Sequence, residues 1–282
     1  MTTPALAVHG RGLVPADEPV LRADDLGVQR GDGIFETARV CAGRVVKLDR
    51  HLARLQAGAA RMQLAAPDAD AWRALAADAV AASGAGDGLL KLVCTRGPEG
   101  GPVTAFAMVL PVPPAVIRGR EDGVRAVTLT LGIAAGARAD APWLLGGVKT
   151  TSYAVNLASL REAEARGAAD VVWLSSDGYV LEAPTATVCW VRDGVVHTPP
   201  ADTGVLEGTT EGLLESLLPD VEFRRTAGRL DDLRAADEIM LVSSVRGVAP
   251  VLALDDVPVG AGAVGPVTAR LRAAYEAEVA RS

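Results

Sequence analysis

The chain has 282 residues, a formal net charge of -7, and 49% hydrophobic against 22% charged residues. That is an ordinary globular mix, long enough for about two domains, and it excludes a disordered chain. The acidic balance lacks the basic excess of a nucleic-acid binder, and no window approaches a membrane span.

From Leu6 to about Lys47, short apolar runs alternate with glycine turns, and GIFETARVCAGRVVKL reads as a hairpin turning at AGR. DRHLARLQAGAARMQL, residues 49–64, puts Leu52, Leu55, Ala59 and Met62 at helical spacing, with Asp49 as the expected N-cap. A second helix is expected from Asp68 to about Ser83, stopped by SGAGDG. LLKLVCTRG and TAFAMVLPV then read as paired strands. The prolines of PVPPAV, residues 111–116, predict an extended linker. They separate a first mixed region, 1–112, from a second, 125–282, with the linker over 113–124. In the second region AVTLTLGI predicts a strand, and residues 152–166 predict a helix that stops at Gly167. A string of strands follows, turning at SDG and RDG. LEGTTEGLLESLL is a glycine loop opening a helix, EIMLVSSVRGVAPVLALD returns to strand, and an alanine-rich helix runs from about Val264. The fold class expected is α/β (α+β).

Cys41, Cys94 and Cys189 each sit alone in an apolar run, and no CxxC spacing occurs. The odd count points to free thiols in a reducing cytoplasm. His9, His51 and His197 are scattered, so no metal site assembles from neighbours in sequence. The N-terminus has no basic region followed by an apolar core, and no signal peptide is expected.

LGGVKTTSY, residues 145–153, holds one of only three lysines in a chain rich in arginine. A solvated lysine at a helix start is the plain reading. Against it, a positive charge there opposes the helix dipole, at a cost of roughly 0.3–1 kcal/mol. A phosphate-binding P-loop needs glycine at 143 and 148, where the chain has Trp143 and Val148. The third reading is an amine that condenses with an aldehyde, which a guanidinium cannot do. If that aldehyde is pyridoxal phosphate, the chain must also supply an acid for the pyridine nitrogen and a phosphate cradle. Glu182, near the end of an apolar run, is the candidate acid, because an unpaired carboxylate is expensive there. Alone, it reads equally as an edge glutamate facing water. EGTTEGLL offers Gly208, Thr209 and Thr210 at a helix start, where anions bind well. Alone, it is a threonine-capped helix. Arg54 of HLARL is a further phosphate candidate, as is Ser244 at the end of a strand.

Taken in order, HLARL, Lys149, Glu182, EGTTEGLL and EIMLVSS resemble the fold-type IV pyridoxal-phosphate enzymes. That group includes branched-chain and D-amino acid aminotransferases and aminodeoxychorismate lyases. The resemblance runs from GDGIFETARV to EIMLVSSVRGVAPV. It implies a two-domain fold like that of D-amino acid aminotransferase, with a smaller N-terminal α/β domain, a larger C-terminal domain and the cofactor between them. It implies pyridoxal 5'-phosphate as cofactor, a small-molecule substrate and a homodimer. It implies Lys149 as the Schiff-base lysine and proton shuttle, and Glu182 on the pyridine nitrogen. Arg54, Thr209, Thr210 and Ser244 would hold the phosphate, and Tyr153 would face the ring oxygen. Thr187 departs from the family pattern, which often has asparagine there.

Within that family GDGIFETARV is most similar to the lyases and the D-amino acid enzymes. The latter hold the substrate carboxylate with an Arg-x-His pair shortly after a TRG strand. Here TRGPEGGPVTAF has Arg96, a candidate substrate contact, and then neither arginine nor histidine through Phe106. A desolvated carboxylate needs a cationic or donor partner. The RG-x-x-GG pattern resembles the lyases instead. The resemblance therefore implies 4-amino-4-deoxychorismate lyase, the step giving 4-aminobenzoate for folate. An aminotransferase for D-amino or branched-chain amino acids stands as the alternative, and a catalytically silent binding protein as the alternative of another class.

Overall fold

The computed structural model describes residues 2–281. The chain divides into two compact units. One takes the chain up to Pro113, Val148–Tyr153 and the residues from Val279; the other takes Pro114–Gly147 and Ala154–Glu278. Lys149 thus belongs to the first unit, although it lies in the second region of the sequence.

The first unit is built on an antiparallel six-stranded sheet. Its order is Gly12–Val14, Ala5–Val8, Thr104–Leu110, Asp87–Thr95, Gly33–Cys41, Arg44–Val45. Successive side chains of a strand face opposite ways. In Gly33–Cys41 this buries Ile34, Glu36, Ala38 and Val40. Ile34 and Val40 join one apolar cluster with Leu52 and Leu55 of the helix Leu48–Arg61 and with Trp72 and Leu75 of the helix Ala69–Ser83. Each large side chain so buried contributes about 1.5–3 kcal/mol. Glu36 is the carboxylate that the alternation places on this face.

Asp68 caps the helix Ala69–Ser83, its Oδ1 accepting the Ala71 N–H at 2.8 Å, and Gly84 ends it at φ 57°. The helix Leu48–Arg61 begins one residue before the expected cap. Lys47 is its N-cap, at φ 51° and without a side-chain hydrogen bond, and Asp49 lies in the first turn. There a carboxylate favours the helix dipole without capping. The hairpin turns at Ala42 and Gly43, both at positive φ, as AGR implied.

The second unit holds a mixed eight-stranded sheet. Its order is Phe223–Arg225, Val195–Thr198, Thr187–Arg192, Glu238–Ser243, Gly247–Leu254, Val124–Thr130, Asp170–Leu174, with Val257–Pro258 paired to Gly247–Leu254. Val124–Thr130 runs parallel to both its neighbours, and the remaining parallel pair is Val195–Thr198 with Phe223–Arg225. The core here includes Val172, Val188, Trp190, Ile239, Leu241 and Val251.

Two further elements differ from expectation. The linker at 113–124 is mostly the helix Pro114–Asp122 rather than an extended segment. Proline opens a helix without penalty, because the N–H it lacks is unpaired in the first turn anyway. The helix expected over 152–166 spans Ala154–Ala165. Lys149 therefore lies outside it, on a segment docked against a strand.

Candidate active site

Lys149 is placed by backbone pairing within the first unit. Its carbonyl accepts the Phe35 N–H at 3.0 Å, Thr151 N–H reaches Gly33 O at 2.9 Å, and Thr150 bridges Ile34. Gly33 permits this approach. A Cβ there would stand 2.8 Å from Cys94 O and 3.0 Å from Thr151 Oγ1. Lys149 is half-buried. Its Nζ lies 4.4 Å from the centroid of the Phe35 ring and 3.4 Å from the Tyr153 hydroxyl. Phe35 and Tyr153 meet edge-to-face at 5.1 Å, so two aromatic rings and a hydroxyl define the position of the amine.

On the buried face of the same strand, Glu36 is 1% exposed. Arg54 donates from Nε to Glu36 Oε1 at 2.6 Å and from Nη2 to Oε2 at 2.9 Å. His51 Nδ1 lies 2.8 Å from Oε2. Burial alone would raise this carboxyl, but the hydrogen bonds of His51 and Arg54, with their charge, outweigh it and hold it down at about 2. Arg96 is committed to protein groups. Its Nε and Nη2 hold Asp32 at 2.6 and 3.2 Å, Nη2 also reaches Met62 O at 2.8 Å, and Nη1 reaches Gln63 O at 3.2 Å.

In the second unit Glu182 lies beyond the turn that follows the strand Asp170–Leu174. The chain doubles back there, with Trp173 N–H to Glu182 O at 3.0 Å and Leu181 N–H to Trp173 O at 2.8 Å. One side-chain oxygen of Glu182 accepts the Leu206 N–H at 3.2 Å. Gly208 is the N-cap of the helix Thr209–Leu217. The hydroxyls of Thr209 and Thr210 each lie 3.3 Å from the Ser244 hydroxyl. Three hydroxyls thus converge at a helix start, where the first amides have no intrahelical acceptor and the dipole favours an anion. Thr187 packs against this loop, since a Cβ on Gly208 would stand 2.5 Å from Thr187 Oγ1. Arg246 ties the neighbouring segments together, pairing with Asp170 Oδ2 at 2.6 Å and reaching Thr185 Oγ1 at 3.4 Å. Among the described residues no group of three or more His, Cys, Asp or Glu is placed to hold a metal ion, and no helix is long and apolar enough to cross a membrane.

The family model for class IV amino-transferases matches residues 33–254, from the start of the strand Gly33–Cys41 to the end of the strand Gly247–Leu254. The chain belongs to the class IV aminotransferase family. It is 44% identical over 252 residues to a bifunctional aminodeoxychorismate lyase / D-amino acid transaminase of Mycobacterium tuberculosis, covering 84% of this chain and 86% of that protein. It is 28% identical over 286 residues to a D-alanine aminotransferase of Listeria innocua, covering 96% and 94%. Among solved structures, a hypothetical aminotransferase from Mycobacterium tuberculosis in its PLP-bound form superposes with a TM-score of 0.93 at 38% identity, over 98% of this chain and 99% of that one. The branched-chain amino acid aminotransferase of Escherichia coli, at 21% identity and a TM-score of 0.87, shares the fold.

Class IV aminotransferases use pyridoxal 5'-phosphate. The residues present fit that group chemically. The first unit carries a half-buried primary amine beside a phenol, and the second carries hydroxyls at a helix start and a half-buried carboxylate. Sequence reading missed Phe35, Glu36 and His51. The signal for Glu36 was present: it falls in the even register of Ile34, Ala38 and Val40. His51 and Arg54 stand three apart on one helix face and meet it there.

Proposed function

We propose that this class IV enzyme removes pyruvate from 4-amino-4-deoxychorismate to give 4-aminobenzoate. The observation that carries the reading is the segment after the strand Asp87–Thr95. TRGPEGGPVTAF contains no Arg-x-His pair, and the one arginine, Arg96, is held by Asp32 and two backbone carbonyls. An amino acid carboxylate therefore lacks its usual cationic partner at that place. Arg96, expected as a substrate contact, serves on this reading to hold the Asp32 turn. The 44% identical relative that is named for the lyase activity supports the assignment.

When bound, pyridoxal phosphate supplies an electron sink for the negative charge that develops at the substrate's amine-bearing carbon. Lys149 Nζ would anchor the cofactor between turnovers, would take the proton from that carbon while substrate occupies the site, and would re-anchor the cofactor as the product amine leaves. Tyr153 steadies the amine through its hydroxyl, 3.4 Å from Nζ. Glu182 would keep a proton on the pyridine nitrogen, the Leu206 N–H fixing its carboxylate at 3.2 Å. Thr209, Thr210, Ser244 and Arg54 would hold the phosphate. The ring C–O bond then breaks with its electron pair on the enolpyruvyl oxygen. The ring becomes aromatic, and one proton added at the enol carbon completes pyruvate.

Transamination of D-amino acids or branched-chain amino acids is the second reading. It is favoured by the same relative, whose name carries a D-amino acid transaminase activity as well. We also propose a homodimer, because Trp143, Val155 and Leu157 are 78%, 56% and 49% exposed, and apolar side chains this open suit a covered surface. Cofactor-loaded protein given 4-amino-4-deoxychorismate is expected to release 4-aminobenzoate and pyruvate in equal amounts. Neither product, together with conversion of the cofactor to its amine form by D- or branched-chain amino acids, would establish the second reading.

A further inference from the structure

We propose that Glu36 is a positioning residue for phosphate recognition: it grips one edge of the Arg54 guanidinium and so fixes the plane that Arg54 offers to the cofactor phosphate. The proposal rests on the reading of Arg54 as a phosphate partner.

Glu36 is a carboxylate among Ile34, Ala38 and Val40, on the face of the strand that packs against helices. If that position served packing alone, an apolar side chain would serve as well or better, because a buried ion pair seldom gains more than its desolvation costs. What the pair supplies is geometry. Both contacts to Glu36 use the Nε and Nη2 edge of Arg54, at 2.6 and 2.9 Å, the fork-to-fork arrangement that sets a guanidinium plane. His51 takes the same oxygen as Nη2, at 2.8 Å, and so prevents the carboxylate from turning. The carboxyl stays ionised far below neutral pH, so the grip persists across the working range. An arginine left to itself has many rotamers, and a phosphate that ordered it would bind more weakly. The preceding residue on the strand, Phe35, bonds the Lys149 carbonyl and places its ring 4.4 Å from Nζ. Adjacent residues of one strand thus set the amine and the guanidinium.

The test is titration of apoenzyme with pyridoxal phosphate and with pyridoxal, which lacks the phosphate, by cofactor absorbance. Circular dichroism melting checks that each variant folds. Arg54→Leu is expected to weaken pyridoxal phosphate and leave pyridoxal unchanged. Glu36→Gln is expected to weaken pyridoxal phosphate about three- to tenfold, the range for ordering one rotamer-rich side chain, with pyridoxal unchanged. The double variant is expected to be no worse than Arg54→Leu alone. If Glu36→Gln does not fold, Glu36→Asp replaces it, since it keeps the charge and moves the grip by one methylene; the same selective loss is expected. A folded Glu36 variant that binds pyridoxal phosphate like the parent, or that weakens both ligands equally, overturns the proposal. If Arg54→Leu itself leaves pyridoxal phosphate affinity unchanged, the reading of Arg54 fails and the proposal falls with it.

Discussion

Glu182 is held through both its carboxylate and its backbone. A backbone N–H, that of Leu206, fixes its carboxylate, and its own backbone pairs with Trp173. A neutral amide at 182 would keep the shape but not the charge that holds a proton on a pyridine nitrogen. Glu182→Gln is expected to retain the cofactor and to slow deprotonation of the substrate by about 10²-fold or more, measured by stopped-flow on loaded protein. An unchanged rate would remove Glu182 from that role. Lys149, Glu182 and the threonine pair were singled out only as an ordered set, since Glu182 and the threonines read alone as an edge glutamate and a helix cap. Glu36 stood in the buried register of its strand, but its partners were not legible, because His51 and Arg54 reach it across a helix–strand contact that no local motif records.

At the scale of elements, the helix Thr209–Leu217 depends on the residue before it. Gly208 has φ -73°, a conformation any residue adopts, so its freedom is not what the position needs. It needs space: a Cβ would meet Thr187 Oγ1 at 2.5 Å. Gly208→Ala is therefore expected to displace the helix start, cost about 1–3 kcal/mol of stability and weaken cofactor binding. Adding Thr187→Ala is expected to restore much of both, since it removes the atom that clashes. Equal loss in the single and double variants, by thermal melting and cofactor titration, would contradict this contact. The helix Ala69–Ser83 was legible from Asp68 to Gly84, because its caps are local. The linker was not. Proline signals extended chain in most settings, and only the helix that follows Pro114 shows that here it opens one. Nor was the docking of Val148–Tyr153 on the first unit legible, because the bridge and hydrogen bonds that carry it span more than a hundred residues of sequence.

For the molecule as a whole, the buried cluster at Glu36 sets an acid limit. The ordinary value of 4.5 falls to about 2 in the folded chain. A carboxyl lowered on folding contributes stability that is fully present above its unfolded value and is lost as pH falls through the folded one. Stability is thus expected to decline between about pH 4.5 and pH 2, followed by denaturant unfolding at stepped pH. Glu36→Gln is expected to start lower and to show a flatter decline over that window; an equal slope would place the acid sensitivity elsewhere. Most strands and the longer helices followed from periodicity; the helix Pro114–Asp122 did not. How the strands order within each sheet did not, since pairing partners lie far apart in sequence.

The proposed chemistry rests on one amine. Borohydride reduction of the cofactor-loaded protein, followed by peptide mass spectrometry, tests it directly, because the chain offers only Lys47, Lys91 and Lys149 as side-chain amines. The pyridoxyl phosphate group is expected on Lys149 alone. The group on Lys47 or Lys91, or a loaded protein that reduction leaves unlabelled, would contradict it.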